Sequence, residues 1–301
     1  MKDPLSDVSP APGGSVAGAL EEGTRRLARS GSTSPRLDAE VLLAHVLRVT
    51  RTHLMVRFRE VLAASDGAEY QSLLARRQRG EPVAYLTGVR EFWGLEFQVT
   101  LDVLIPRPET EHLVEEALRR LPTTAAARIV DLGTGSGCLA VALAKERPRA
   151  RVLALDLSAP ALRVARSNAE RHGVTGRLQF LRGDLLESLR PAAACPDLIV
   201  CNPPYISRAD YHHLPPDVRD FEPRRALTDD RDGLHHYRRL VPPARELLRP
   251  DGHLILELGA GQADDVLALF DATLWDVMGV VKDLQQIDRC LIARKRPGGK
   301  E

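Results

Sequence analysis

The sequence predicts an α/β protein: a doubly wound, mainly parallel sheet with helices on both faces, preceded by a small helical bundle. Three observations carry this. After Ala125, short apolar runs of strand length alternate with helical patterns, the signature of a parallel sheet with crossover helices. The first of those runs leads directly into Asp131-Leu132-Gly133-Thr134-Gly135-Ser136-Gly137, a glycine-rich turn that opens the next helix. Between Ser15 and Gly80, by contrast, apolar residues recur at helical spacing.

Residues 1–14, ending in Ser9-Pro10-Ala11-Pro12-Gly13-Gly14, read as a flexible tail. Residues 15–80 read as the bundle. Within it Ser34-Pro35 fits a cap followed by proline at the first helical position, and Leu37, Val41, Leu42 and Val46 then keep helical spacing. A further helix carries Tyr70, Leu73 and Leu74 and ends at Arg79-Gly80. Residues 81–105 change character: Phe92, Trp93, Phe97, Val99 and Val103 among Gly88 and Gly94 read as a short hairpin linker. Residues 106–121 return to helix. Strands are expected near 128–132, 151–156, 177–181, 196–201, 252–258, 274–281 and 288–294, so the sheet domain spans 106–296.

Composition excludes several classes. Lys and Arg number 42 against 41 Asp and Glu, so no global field draws the chain to nucleic acid or anionic membrane, and stable nucleic-acid binding is not expected. Arg76-Arg77-Gln78-Arg79 is a local basic patch, read as a solvated helix end. No apolar run is long enough to span a bilayer. Cys138, Cys195, Cys201 and Cys290 are scattered in apolar surroundings without metal spacing, which reads as buried thiols in a reducing compartment. The paired histidines His212-His213 and His235-His236 have no partner spacing for a metal either, and no metal is expected. A cytoplasmic monomer is the expectation.

Four strand ends carry the chemistry. The glycines Gly133, Gly135 and Gly137, with Thr134 and Ser136 between them, allow a tight turn and close backbone approach to a ligand. Their spacing is not that of dinucleotide binders, and the leading Asp131 suits a ligand with a cationic amino-acid end, such as S-adenosylmethionine. Asp156, ending the next strand, can accept from both ribose hydroxyls, although Ser158 or Asp156 equally suits a helix cap. Asp184 can accept from an adenine amino group. Asn202-Pro203-Pro204-Tyr205 follows the strand Leu198-Ile199-Val200 and is itself also readable as a proline-rich turn. As a site it holds an amide, a ring and free carbonyls stiffly, which suits gripping a planar amide or amino group: two N–H donors need two acceptors, and a flat face needs a stacking ring.

With these residues the chain resembles the PrmC/HemK family of N5-glutamine methyltransferases, from about Arg36 to Arg294. The matching stretches are Pro35–Glu40, Gly80–Gly88, Arg90–Gly94, Ile105–Glu111, the glycine loop, Asn202–Ile206, Phe221-Glu222-Pro223 and Glu257-Leu258-Gly259. The resemblance implies a class I methyltransferase domain and S-adenosyl-L-methionine as cofactor, held by Gly133 to Gly137, Asp156, the pair Asp184-Leu185, and Asn202. It implies as substrate the glutamine of a Gly-Gly-Gln loop on class I peptide chain release factors, gripped by Asn202, Pro203, Pro204 and Tyr205, with Phe92, Arg107 and Glu111 around it. Asn202, Pro203 and Tyr205 are the expected catalytic set: the Asn202 oxygen and the Pro203 carbonyl accept the two amide N–H groups, and Tyr205 stacks on the amide plane. The helical 15–80 region is expected to recognise the substrate protein. Two positions depart from the family pattern: Leu185 stands where some members carry an aromatic residue, and Asp283–Arg289 lacks an expected glycine. Glutamine methylation of a ribosomal protein, amino-group methylation of a nucleic acid base, and a non-catalytic binding module on the same fold are the competing readings.

Overall fold

The structure is a computed structural model and describes residues 14–189 and 195–297; apart from Gly14, the expected N-terminal tail lies outside them. The chain divides into two compact units between Thr87 and Gly88.

The first unit is built of α1 (Val16–Arg29), α2 (Pro35–Val46), α3 (Arg51–Val56), α4 (Ala64–Gln78) and α5 (Val83–Thr87). On α1, Val16, Leu20, Gly23 and Leu27 form a buried stripe, as an amphipathic helix requires. Gly23 is where Tyr70 crosses: a Cβ there would meet the Tyr70 Cζ at 3.0 Å. Packed so closely, Tyr70 is fully buried, and its hydroxyl donates to the Ala39 carbonyl at 3.2 Å. Ser34 does not cap α2. Its hydroxyl donates instead to Asp38 Oδ1 at 2.9 Å, because the buried Asp38 carboxylate also gathers Ser32 Oγ and Arg77 Nε and is the stronger acceptor. The expected solvated basic patch is taken up only in part: Arg77 pairs with Asp38 at 2.8 Å and Arg76 with Glu81, while Arg79 is exposed.

The second unit opens with a hairpin, β1 (Val89–Phe92) and β2 (Leu95–Gln98), shorter than the expected linker. A 3-10 turn at Pro108–Thr110 precedes α6 (Glu111–Arg120). Then come β3 (Arg128–Leu132), α7 (Cys138–Glu146), β4 (Arg151–Asp156), α8 (Ala159–Arg171), β5 (Leu178–Arg182) and β6 (Leu198–Cys201). Three single-turn helices follow, α9 (Arg208–Tyr211), α10 (Pro216–Arg219) and α11 (Arg224–Leu227), before α12 (His235–Leu247), β7 (His253–Glu257), α13 (Ala263–Leu267), β8 (Trp275–Lys282) and β9 (Asp288–Lys295).

The sheet order is β5-β4-β3-β6-β7-β9-β8, with the first five strands parallel and the β9 and β8 additions antiparallel. Both faces are covered, and successive residues alternate between two cores. Ile129, Val152, Leu198 and Ile255 pack on one face with α6 and α7; Val130, Leu155, Ile199 and Leu256 pack on the other with α12. Three of the four cysteines are buried in this unit, as expected, but Cys195 is exposed. At the expected missing glycine, Gln286 takes the left-handed turn (φ +63°), and the Asp283 carboxylate fastens it by accepting from Gln285 N, Ile287 N and Arg289 Nε. The β8–β9 hairpin therefore closes without a glycine.

The chain runs outward from β3 to β4 and β5, then returns to place β6 on the other side of β3. This reversal opens a crevice at the carboxyl ends of β3 and β6, the place where open α/β sheets bind ligands. The glycine loop leaves β3 there, and Asn202 leaves β6.

Candidate active site

Two cavities meet at that crevice. The larger has about 1080 Å³ of empty space, open solvent at its mouth included, and is lined by Gly133, Gly135, Asp156, Asp184 and Leu185 among others. The smaller, about 600 Å³, is lined by Pro203, Tyr205, Ile206 and Val218. Leu104, Arg107, Asn202 and Ala226 line both, so Asn202 stands in the wall where the two cavities meet.

The loop's conformation depends on its glycines. Gly133, Gly135 and Gly137 have φ of +67°, +54° and +82°. At Gly137 a Cβ would also lie 3.0 Å from Ala165 Cβ and 3.1 Å from its Cα, so the loop can rest on α8 only without a side chain there. Asp131 does not line the cleft. It is fully buried beneath the loop, where it accepts from Thr134 Oγ1 at 2.6 Å, and burial pushes its carboxyl up to about 7.

Asp156 faces the larger cavity and also ties the loop down. Its Oδ2 accepts from Gly135 N at 2.9 Å and its Oδ1 from Ser158 N at 2.8 Å. Burial raises its carboxyl above the ordinary range, and these two N–H donors oppose that rise. The cap of α8 is Ser158, which accepts from Ala161 N, so Asp156 remains in the cleft wall. Asp184 lines the cleft too, but its Oδ2 already accepts from Arg239 at 2.7 Å. Leu185 enters the cleft in the left-handed region, at φ +46°.

The amide tip is held by a chain of hydrogen bonds that the sequence did not expose. Asn202 Nδ2 donates to Thr110 Oγ1 at 3.1 Å, Thr110 Oγ1 donates to Glu257 Oε2 at 2.6 Å, and the Tyr205 hydroxyl donates to Glu257 Oε1 at 3.2 Å. Glu257 is 1% exposed; burial pushes its carboxyl up to about 7, against the pull of the Thr110 and Tyr205 hydroxyls. Gln262 Nε2 donates to the Tyr205 carbonyl at 2.9 Å, and Gly259 leaves room for the ring, since a Cβ there would stand 2.9 Å from Tyr205 Cδ2. Among the described residues nothing donates to Asn202 Oδ1 or to the Pro203 carbonyl.

Arg107 lines both cavities, and its guanidinium pairs with Glu222, which also accepts from Ile105 N at 3.2 Å. Two expected substrate residues are elsewhere. Phe92 is 1% exposed and packs edge-on against Phe97 in the core that α6 and α7 share. Glu111 accepts from Trp93 N at 2.7 Å and so fastens the hairpin to α6. Thr110, Glu222, Glu257, Arg225 and His236 were missed as site residues; Arg225 and His236 line the larger cavity. For Thr110, Glu222 and Glu257 a signal existed, since Ile105–Glu111, Phe-Glu-Pro and Glu-Leu-Gly were among the matching stretches. Among the described residues no cluster of His, Cys, Asp or Glu converges as a metal site, and no helix is long and apolar enough to cross a membrane.

The larger cavity fits S-adenosyl-L-methionine. Its side chains include three acids, Asp102, Asp156 and Asp184, against Arg107 and Arg225, which suits a ligand carrying a sulfonium and an ammonium. Apolar walls at Leu139, Leu155, Leu157 and Leu185 suit a nucleoside, and the N-terminus of α7 suits the ligand's carboxylate. The methyltransferase small domain family matches residues 112–214, and the crystal structure of a methyltransferase from Pyrococcus furiosus shares the fold at a TM-score of 0.51 and 17% identity, over 76% of this chain and 100% of its own. Fold and cleft thus define a class I methyltransferase whose donor is S-adenosyl-L-methionine. The PrmC N-terminal domain family matches residues 18–88; the release factor glutamine methyltransferase of Nitratidesulfovibrio vulgaris is 45% identical over 93% of this chain and 95% of its own, and that of Burkholderia pseudomallei 49% over 84% and 90%. The chain belongs to the release factor glutamine methyltransferase family.

Proposed function

We propose that this protein methylates the N5 amide of the glutamine in the Gly-Gly-Gln motif of class I peptide chain release factors. One observation carries the reading: Asn202 stands where the two cavities meet, with its Nδ2 committed to Thr110, which leaves Oδ1 to act as an acceptor. The relatives named release factor glutamine methyltransferase, matched over almost their whole length, specify the substrate.

Gly133 to Gly137, Asp156, Asp184, Leu185 and Asn202 would hold the donor, which supplies an electrophilic methyl when bound. A carboxamide nitrogen is a poor nucleophile, because its lone pair is delocalised into the carbonyl. The protein's task is therefore to orient that nitrogen and exclude water. Asn202 Oδ1 and the Pro203 carbonyl accept its two N–H bonds and stabilise the positive charge that develops on it. Pro203 and Pro204 keep those acceptors stiff, and Tyr205, tethered through its hydroxyl and its carbonyl, offers a ring for the amide plane. No strong general base is needed, since the nitrogen's proton becomes acidic once the methyl has arrived.

The test is methyl transfer from radiolabelled donor to purified release factor and to its Gly-Gly-Gln variant with Gln→Ala. Label is expected on the first and absent from the second. Equal label on both overturns the reading, and label on ribosomal protein or nucleic acid alone moves the activity to another substrate.

The helical unit ahead of Gly88 is the natural second handhold on a protein substrate, because a single glutamine offers little binding energy by itself. Each unit has its own core: the two clusters on the sheet draw only on residues after Gly88, and the bundle's only on residues before it. Removal of residues 1–87 is expected to leave donor affinity within about threefold while lowering kcat/KM on intact release factor by on the order of 10²-fold, the scale on which remote binding energy is used for positioning. Equal kcat/KM for the two forms contradicts it.

A further inference from the structure

We propose that Glu257 is a positioning residue: acting through the Thr110 hydroxyl, its ionised carboxylate fixes which atom of the Asn202 carboxamide faces the substrate. The proposal rests on the reading of Asn202 as the substrate's acceptor.

A row of hydroxyls has a direction. A carboxylate only accepts, and a threonine hydroxyl has one hydrogen. Thr110 gives that hydrogen to Glu257 Oε2 at 2.6 Å, so towards Asn202 it can only accept. Only Nδ2 of the amide can donate, which it does at 3.1 Å, and Oδ1 is turned away from Thr110. The Tyr205 hydroxyl occupies Oε1, while the Tyr237 hydroxyl bonds the Glu257 backbone carbonyl at 2.8 Å and leaves the carboxylate alone.

A proton on Oε2 reverses the row. The acid then donates to Thr110, Thr110 donates to Asn202, and the amide must turn Oδ1 towards Thr110. Its NH2 would meet the N–H donors of the substrate, and the grip is lost. A proton on Oε1 leaves the row unchanged, so the neutral acid mixes the two arrangements. The charged and titratable groups around the carboxyl are Tyr205, Tyr237, Arg289, Glu109, Cys138, Cys201 and Cys290; Arg289 favours ionisation and Glu109 opposes it. With burial pushing the carboxyl up to about 7, both states are populated near neutrality, and falling pH moves the enzyme towards the mixed, less active state.

The test uses the full ¹⁵N-labelled chain without donor or substrate. It follows the Asn202 side-chain amide signals, assigned by their loss in Asn202→Asp. These signals are expected to shift with pH about a midpoint near 7 in the native chain, and to stay still in Glu257→Gln, whose amide does not titrate. Static signals in the native chain, or the same titration in Glu257→Gln, overturn the proposal. Should Glu257→Gln fail to fold, Thr110→Ser is expected to keep the titration and Thr110→Val to lose it; an unchanged titration in the valine variant overturns the proposal equally. In turnover, kcat of the native enzyme should rise with pH through about 7, and Glu257→Gln should lose that limb. The NMR measurements need no release factor, so their failure is distinct from failure of the substrate assignment.

Discussion

Asn202→Ala is expected to lower kcat on the order of 10²-fold or more while leaving the dissociation constant for S-adenosyl-L-methionine within about threefold. Two features of the site separate these quantities. On the proposed reading the donor's grip would be spread over the glycine loop, Asp156 and the apolar walls, with Asn202 one contact among several, whereas the substrate nitrogen would rely on two acceptors, Asn202 Oδ1 and the Pro203 carbonyl. Removal of one preorganised acceptor costs about 3 kcal/mol of barrier, which is the expected rate loss. Alanine also leaves the Thr110 lone pair without the donor that Asn202 supplies. Asn202→Asp makes a useful contrast. It restores an oxygen but has no N–H to give Thr110, so that oxygen is no longer held, and an intermediate rate is expected. Single-turnover methylation of release factor, with donor affinity measured by calorimetry, checks both values. A native rate in Asn202→Ala would remove this residue from the mechanism.

What the sequence made legible was whatever rests on local chemistry. The strands of the sheet are short and mostly apolar, and the glycine loop declares itself because glycine takes left-handed backbone without strain, as it does at 133, 135 and 137. Asn202-Pro203-Pro204-Tyr205 was legible for the same reason, as two prolines fix a strand end without help from elsewhere. The misreadings involve partners that local pattern cannot supply. The resemblance places Phe92 beside the substrate, but its burial depends on Phe97 and on residues of α6 and α7. Ser34 had the right neighbour for a cap and lost its hydroxyl to Asp38, which Arg77 holds from α4. Thr110 and Glu257 lie far apart in the chain, and nothing in either local sequence announces their 2.6 Å hydrogen bond. Only the placement of β7 beside β6 brings Glu257 under the Asn202 tip.

Asp156→Ala is expected to weaken S-adenosyl-L-methionine binding on the order of 10²-fold or more, with a smaller change in the melting temperature of the donor-free protein. The carboxylate has two tasks. It presents its remaining lone pairs to the cavity, where ribose hydroxyls would donate, and it accepts from Gly135 N and Ser158 N, which shapes the glycine loop around the donor. A hydrogen bond to a charged group contributes about 1.5–3 kcal/mol, so loss of the ribose contacts alone accounts for about a tenfold to hundredfold weakening, and the loosened loop adds to it. Asp156→Asn keeps one oxygen and can hold either the loop or a hydroxyl well, but not both, and should fall between. The two tasks can be told apart by the donor's fragments. Adenosine should lose affinity in both variants through the ribose, whereas methionine, which has no ribose, should lose affinity only as far as the loop has moved. Calorimetric titration of each fragment reads this directly. Donor affinity within about threefold of native in Asp156→Ala would mean that the loop and the apolar walls hold the donor without this carboxylate.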